Sequence, residues 1–549
     1  MRTGFLRSGV AVVACFVSLV PAGVGASAPP GNHRVTQDNR TGSYTRYDGA
    51  TDPTMRDCST NKRSQNEPAI AVDPRDTSVV VAGSNDYCAA PVNGDVWAGY
   101  YRSTDGGSSW QDSLVPGYPT DSSAGGTASP AHGSCGAAGD PTQSFDRDGR
   151  LFYGFICFNR GKPVNGSTYV ATYDQDGGHY VRTALVDAGS PSAQFGGSGL
   201  FQDKINLAVD QTRGPNSGNI YVAWARYSGK AANNVIVFSR STDHGATFSP
   251  PIGVSSGLGE EQFADLAVGP DGTVWLTYRD FAHQGTTTNT ISVERSTDGG
   301  QSFSQPQILA TITPFESTQF SGNGSNSCGD APFDCPSGLT FKRFSSLSAV
   351  TADASGAHVV WNAELASGQS KVFVRNSTDG VNWSPATALD TSARGHQYLP
   401  DIASADGVIT VVFMDSRNDK AYAPSLPPGD TAAGQNSGGA EDAFIARSST
   451  GGNAWTETRV SNFSSNLNWE THGSRKVPFW GDYIYVSAVH GAVNIAWTDS
   501  RDLVAGVDPR DPTAADHFDV KQCKDPNAST LAACNSQGGL DQNIYSARP

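Results

Sequence analysis

Arg102-Ser-Thr-Asp-Gly-Gly-Ser-Ser-Trp110 returns three times along the chain: Arg240-Ser-Thr-Asp-His-Gly-Ala-Thr-Phe248, Arg295-Ser-Thr-Asp-Gly-Gly-Gln-Ser-Phe303 and Asn376-Ser-Thr-Asp-Gly-Val-Asn-Trp383. Two degenerate copies extend the series, Tyr173-Asp-Gln-Asp-Gly-Gly-His-Tyr180 and Arg447-Ser-Ser-Thr-Gly-Gly-Asn-Ala-Trp455, the second without its Asp. Each copy follows an alternating stretch such as Val235-Ile-Val-Phe-Ser239 and precedes another, which places it at a hairpin turn. There the Asp carboxylate accepts backbone amides, Gly supplies a positive φ and the aromatic ring packs beside the loop. A second hairpin lies upstream of each, as in Ile70 to Ala82 or Asp265 to Tyr278. The repeating unit is therefore four strands, A to D, with the motif joining C to D.

Counting the A/B hairpins gives starts near Pro68, Pro141, Ile205, Ala264, Ser345, Leu399 and Asp482, seven in all. One four-stranded sheet cannot bury both faces, whereas a closed ring of them can. The repeat thus predicts an all-β fold, a seven-bladed β-propeller over residues 67–549. Its last copy supplies A (Tyr483 to Ala488), B (Val493 to Thr498) and C (Asn543 to Ala547), and no D. The segment between His33 and Tyr47, within an N-terminal stretch of 27–66, is expected to lend the strand that closes the ring.

The first 26 residues read as a secretion signal: basic Arg2 and Arg7, an apolar run from Val10 to Val20, and Val24-Gly-Ala26 before the cut. Discarding Cys15 leaves eight cysteines, an even number that suits an oxidising compartment. Cys328/Cys335 and Cys523/Cys534 are close enough for local staples; among the other four, Cys58/Cys88 and Cys135/Cys157 are favoured and the connectivity stays open. No other stretch is long and apolar enough for a membrane span. The net charge of −15 and the lack of a basic run argue against nucleic acid as a partner. With 61 glycines, 31 prolines and 17% charged residues, the chain fits many short strands joined by turns.

The boxed turns resemble the Asp-boxes of the sialidase superfamily and the wider BNR-repeat propellers of secreted bacterial proteins, over nearly the whole chain after the signal. In that family the box is a structural turn on the face opposite the active site. Strand alternation then gathers the D-to-A and B-to-C connections at the other end, around a central funnel. The resemblance implies a secreted, sialidase-like exo-glycoside hydrolase with a Tyr nucleophile, a helping Glu and arginines that hold the substrate. Carried over, Tyr483 stands in for the nucleophile, Glu261 and Arg279 for the Glu/Arg pair, and Asp86 or Asp140 for the acid. Arg343, Arg417, Arg501 and Trp480 are the further candidates for substrate contact.

The chain departs from the pattern in having no Arg-Ile-Pro near the start of the mature segment and seven repeats where that enzyme family has six. Two other readings therefore stay open. A non-catalytic carbohydrate- or protein-binding propeller would lack a close carboxylate pair in the funnel. A polysaccharide lyase would use Arg226/Tyr227 or His396/Tyr398 on a uronate. Asp415-Ser-Arg417 and Asp499-Ser-Arg501 recur at one blade position, as structural salt bridges would. No cofactor is expected, although Asp508, Asp511, Asp516 and Asp519 are the kind of oxygen ligands that calcium takes. A glycan is the expected ligand of a monomer.

Overall fold

The structure is a computed structural model that describes the chain except for residues 2–30, 160–164, 191–198, 229–233, 256–259, 283–287, 316–325, 328–333, 336–345, 391, 427, 430–436, 467–469, 472–479, 504–519 and 522–541. The signal segment, Arg343 and the acidic stretch from Asp508 to Asp519 lie outside the described residues. So do the side chains of the Cys328/Cys335 and Cys523/Cys534 pairs.

The fold is all-β, with three helices of four to six residues among the described residues. Among the described residues the strands form four four-stranded sheets, one twelve-stranded sheet and two two-stranded ones; the twelve-stranded sheet divides into three antiparallel groups of four, and these with the four-stranded sheets follow one another along the chain as seven units. Their inner strands are Gln65–Val72, Ala137–Phe145, Leu200–Val209, Glu260–Val268, Ser348–Asp353, Gln397–Ala405 and Tyr485–Val489. Single parallel pairs, Phe201 with Gly166 and Asn234 with Glu260, join the second unit to the third and the third to the fourth. In the last unit the fourth strand comes from the other end of the chain: Asn32 faces Ala547, His33 faces Ser546 and Arg34 faces Tyr545.

Contacts between inner strands run from each unit to the next and from the seventh back to the first. One cavity of 690 Å³ is lined by all seven inner strands, from Ile70–Val72 round to Tyr485–Val489. Side-chain acceptors tie neighbouring inner strands together at a fixed register. Asn206 Oδ1 accepts the Leu266 amide (3.0 Å), Asp265 Oδ2 that of Val350 (2.7 Å) and Asp401 Oδ2 that of Val486 (2.7 Å). Between units the faces close on apolar cores, with Trp97, Trp224, Trp361 and Trp497 fully buried.

The recurring turns share one hydrogen-bond plan. Asp105 accepts the Ser109 amide (2.8 Å) and hydroxyl (2.6 Å), and the Gly107 amide donates to Ser103 Oγ (2.9 Å). Asp243 and Asp298 repeat it with Thr247 and Ser302. In the copy that lost its Asp, Thr450 Oγ1 takes the Ala454 amide instead (2.9 Å). Disulfides join Cys58 to Cys88 and Cys135 to Cys157. Among the described residues no helix is long and apolar enough to cross a membrane.

Candidate functional site

Five of the inner strands carry a register shift, between Asn66 and Ala69, Gly139 and Thr142, Asp203 and Asn206, Gln262 and Asp265, and Tyr398 and Asp401. Within each shift one residue other than glycine has a positive φ: Glu67, Asp140, Lys204, Phe263 and Leu399. That conformation is strained for an L-residue and persists only where the surroundings fix it. The amides of Leu266, Val350 and Val486 each lie three residues beyond this position, so the inter-strand ties make Leu347 and Tyr483 its equivalents in the fifth and seventh units. The seven positions divide into a polar set, Glu67, Asp140, Lys204 and Tyr483, and an apolar set, Phe263, Leu347 and Leu399.

The polar set forms one interacting group with Asp482. Lys204 Nζ donates to Asp482 Oδ2 in an ion pair with both side chains buried. The Lys204 amide donates to Asp140 Oδ2 (3.1 Å), and the Lys204 ammonium lies 4.9 Å from the Phe263 ring centre and 5.8 Å from that of Tyr483. Asn85 bridges two strands, donating Nδ2 to Glu67 Oε2 (2.7 Å) while its Oδ1 accepts the Asp140 amide (2.9 Å). Burial first, then the charge of Glu67 and a hydrogen bond to it, push the Asp140 carboxyl up to about 7. At neutral pH it is thus poised to give a proton. Burial, followed by the charges of Asp140, Glu67 and Asp482, raises the Tyr483 phenol well above its ordinary range. Glu67, Lys204 and Asp482 are buried, while Asp140 and Tyr483 are half-buried.

Of the expected site residues, the structure brings Asp140 and Tyr483 together. It does not bring Glu261 to Arg279. Glu261 faces Asp280 across the strands and Arg279 faces Gln262, so the two side chains leave opposite faces of their sheet. Glu261 accepts from Ser255 Oγ, and Arg279, fully buried, donates to the Ser346 carbonyl (3.1 Å) and Asn289 Oδ1 (2.7 Å). Asp86 is locked by the hydroxyls of Tyr44 and Tyr101 (both 2.8 Å) and the Cys88 amide (2.8 Å).

The two Asp-Ser-Arg copies fold back on themselves. Arg417 pairs with Asp415 (2.6 Å) and Glu457 (3.0 Å), and Arg501 with Asp499 (2.7 Å). Trp480 packs in the core cluster that holds Phe263, Leu347 and Leu399. The lyase candidates are engaged as well: Arg226 pairs with Asp187 (2.6 Å), and His396 and Tyr398 are buried. Among the described residues no three His, Cys, Asp or Glu side chains are arranged to hold a metal ion.

No protein-family model matches the chain, and no curated protein does. Among solved structures it is similar to an α-L-arabinofuranosidase of Fusarium graminearum in complex with arabinobiose (13% identity, 71% of this chain and 95% of that one, TM-score 0.43). It is also similar to a Hadza microbial sialidase (15% identity, 74% and 71%, TM-score 0.41). A third is the intramolecular trans-sialidase from Ruminococcus gnavus (12% identity, 72% and 95%, TM-score 0.40).

Proposed function

We propose that the seven units are the blades of a β-propeller over residues 67–549, closed by the strand Asn32–Arg34 within the 27–66 segment and exported by the signal of residues 1–26. The return of inner-strand contacts from the seventh unit to the first, and one cavity lined by all seven inner strands, support this reading.

On that scaffold the chain is read as a secreted glycan-processing enzyme, a sialidase-like exo-glycoside hydrolase working at the inner-strand cluster. The observation that supports this is the gathering of Asp140, Glu67 and Tyr483 in one cluster, with Asn85 bridging Glu67 Oε2 and the Asp140 amide and Lys204 linking Asp140 to the Tyr483 ring. Glycoside cleavage divides its work between an acid and a second group that attacks or assists, and burial raises the Asp140 carboxyl toward the first role. Asp140 gives its proton to the leaving oxygen. Glu67 takes the Tyr483 proton as the phenol oxygen attacks the anomeric carbon, and water then releases the sugar with the proton transfers reversed. Arg417 and Arg501, held by their own carboxylates, are assigned to structure.

The test is a panel of aryl glycosides with good and poor leaving groups, including sialosides, assayed with the wild type, Asp140→Asn and Tyr483→Phe. Asp140→Asn is expected to lose at least about a hundredfold on poor leaving groups and far less on good ones, since an activated phenol needs no acid. Losses under about tenfold in both variants, about 1.4 kcal/mol of barrier, overturn the assignment. A wild type that binds glycans and turns over none supports the binding propeller instead.

A further inference from the structure

Two residues beyond the shifted position, the inner strands carry in turn Ala69, Thr142, Asn206, Asp265, Ala349, Asp401 and Tyr485. Asn206, Asp265 and Asp401 do the same job there, each accepting an amide of the next unit, from Leu266, Val350 and Val486. Asn206 does it with a neutral carbonyl. The tie therefore needs no carboxyl, and the acids of the fourth and sixth units bring an acidity that the joint itself does not use.

Their surroundings work against that acidity. Asp265 and Asp401 both line the 690 Å³ cavity, and both also line a second cavity of 40 Å³. Asp265 is half-buried and Asp401 buried. Asp265 Oδ1 accepts from Asn206 Nδ2 (2.8 Å), and among the described residues no ion pair reaches either carboxyl. The other ionisable residues on the two walls are Lys204, Arg213, Tyr483 and Tyr485. Lys204 is paired with Asp482, and Arg213 is exposed in the turn after the third inner strand. Burial above all raises both phenols beyond their ordinary range, and on Tyr485 the charges of Asp401 and Asp265 come next. The neighbouring strands Val274–Phe281, Ser348–Asp353 and Val408–Asp415 bring no ionisable side chain to either wall. Burial lifts the Asp265 carboxyl to about 7, and burial followed by the charge of Asp265 raises Asp401 well above the carboxylate range. Two such groups resist ionising together, because each charge makes the other harder to form.

We infer that Asp265 and Asp401 act as one proton-holding pair, a pH-sensitive clasp on the ring of inner strands. While the pair keeps its proton, its side chains hold the joints between the fourth and fifth units and between the sixth and seventh. Once both are ionised, repulsion loads those two joints. The folded chain thus keeps protons that the unfolded chain releases, so the clasp is full below pH 3.8 and fades as pH rises through 7. It does not rest on the inner-strand cluster being catalytic.

The experiment is NMR on the intact protein labelled with carboxyl-¹³C aspartate, read from about pH 4 to about pH 9, with amide exchange measured in parallel as protection factors. Both carboxyls should titrate well above the ordinary range. In Asp265→Asn the Asp401 midpoint should fall by at least about one pH unit, a tenfold change in proton affinity. Protection of the Val350 and Val486 amides should decline across the wild-type titration. Asp265→Asn should flatten that decline at Val350 and Asp401→Asn at Val486, since Asn keeps the amide acceptor, as Asn206 shows. An Asp401 midpoint unmoved in Asp265→Asn overturns the proposal. So does a wild type whose two carboxyls titrate in the ordinary range, or a decline in protection that is the same in the wild type and both variants.

Discussion

Lys204 and Asp482 stand 278 residues apart in the chain and form an ion pair whose side chains are 4% and 0% exposed. Removing one partner leaves the other charged and buried, which typically costs about 3 to 5 kcal/mol. Lys204→Met and Asp482→Asn should each lower stability by that order in denaturant titrations. The double variant Lys204→Met/Asp482→Leu should recover much of the loss. Equal losses in the single and double variants would show that packing, not charge, is what the pair supplies.

Asp140 predicts a pH dependence. Its carboxyl moves from 3.8 to about 7 on folding, so between those values the folded chain holds a proton that the unfolded chain releases. Stability from this group is therefore full below pH 3.8 and falls as pH rises through 7, by at most about 1.4 kcal/mol per unit. Asp140→Asn should flatten the slope of unfolding free energy against pH by that amount. Asp265, also raised to about 7 chiefly by burial, remains as background in both proteins. An unchanged slope in the variant contradicts the shift.

Arg417 and Arg501 should matter for folding and little for turnover. Each is held by the carboxylate two residues before it, with side chains 22% and 15% exposed. Arg417→Gln and Arg501→Gln should lower unfolding free energy by about 1 to 3 kcal/mol while kcat/KM stays within about threefold, under 1 kcal/mol of barrier. A large fall in kcat/KM with intact melting would return these arginines to the site.

The pairing of Asn32–Arg34 with Tyr545–Ala547 predicts that the N-terminal strand is needed for the last sheet. Deleting residues through Arg34 should lower the melting temperature by several degrees and raise hydrogen exchange in 543–547 first. Adding the missing segment back as a peptide should reverse both effects. Unchanged exchange in 543–547 would mean that the sheet holds without its fourth strand.

The units were legible because their turns are chemical: Ser, Asp and Gly at fixed spacing make the same hydrogen bonds each time, and Thr450 shows how far the pattern stretches. The missing D strand after Ala547 pointed to the segment from His33 to Tyr47, of which only the start pairs there, as Asn32–Arg34, while Tyr44 bridges Asp112 in the first unit. The site was harder. Glu67 and Lys204 look like ordinary rim residues because a register shift that alternation does not announce sets their place, and Asp482 joins them only through its ion pair with Lys204. A signal was present: proline follows Glu67, Asp140 and Leu399, and an amide-accepting Asn or Asp stands two residues beyond Lys204, Phe263 and Leu399. Arg417 and Arg501 carried two readings, substrate contact from their place on the rim and structural salt bridge from the recurring Asp-Ser-Arg, and the pairing of each with the carboxylate two residues before it agrees with the second.

The shifted position on the inner strands is the same backbone seat used again and again with different occupants. Because neighbouring strands fix its conformation, the seat tolerates carboxylate, ammonium, phenyl and isobutyl groups alike. A new specificity could arise by exchanging single side chains there, with no loop rebuilt and no sheet disturbed. The molecule thus separates the part that must stay constant from the part free to diversify, and does so within one strand of each repeat.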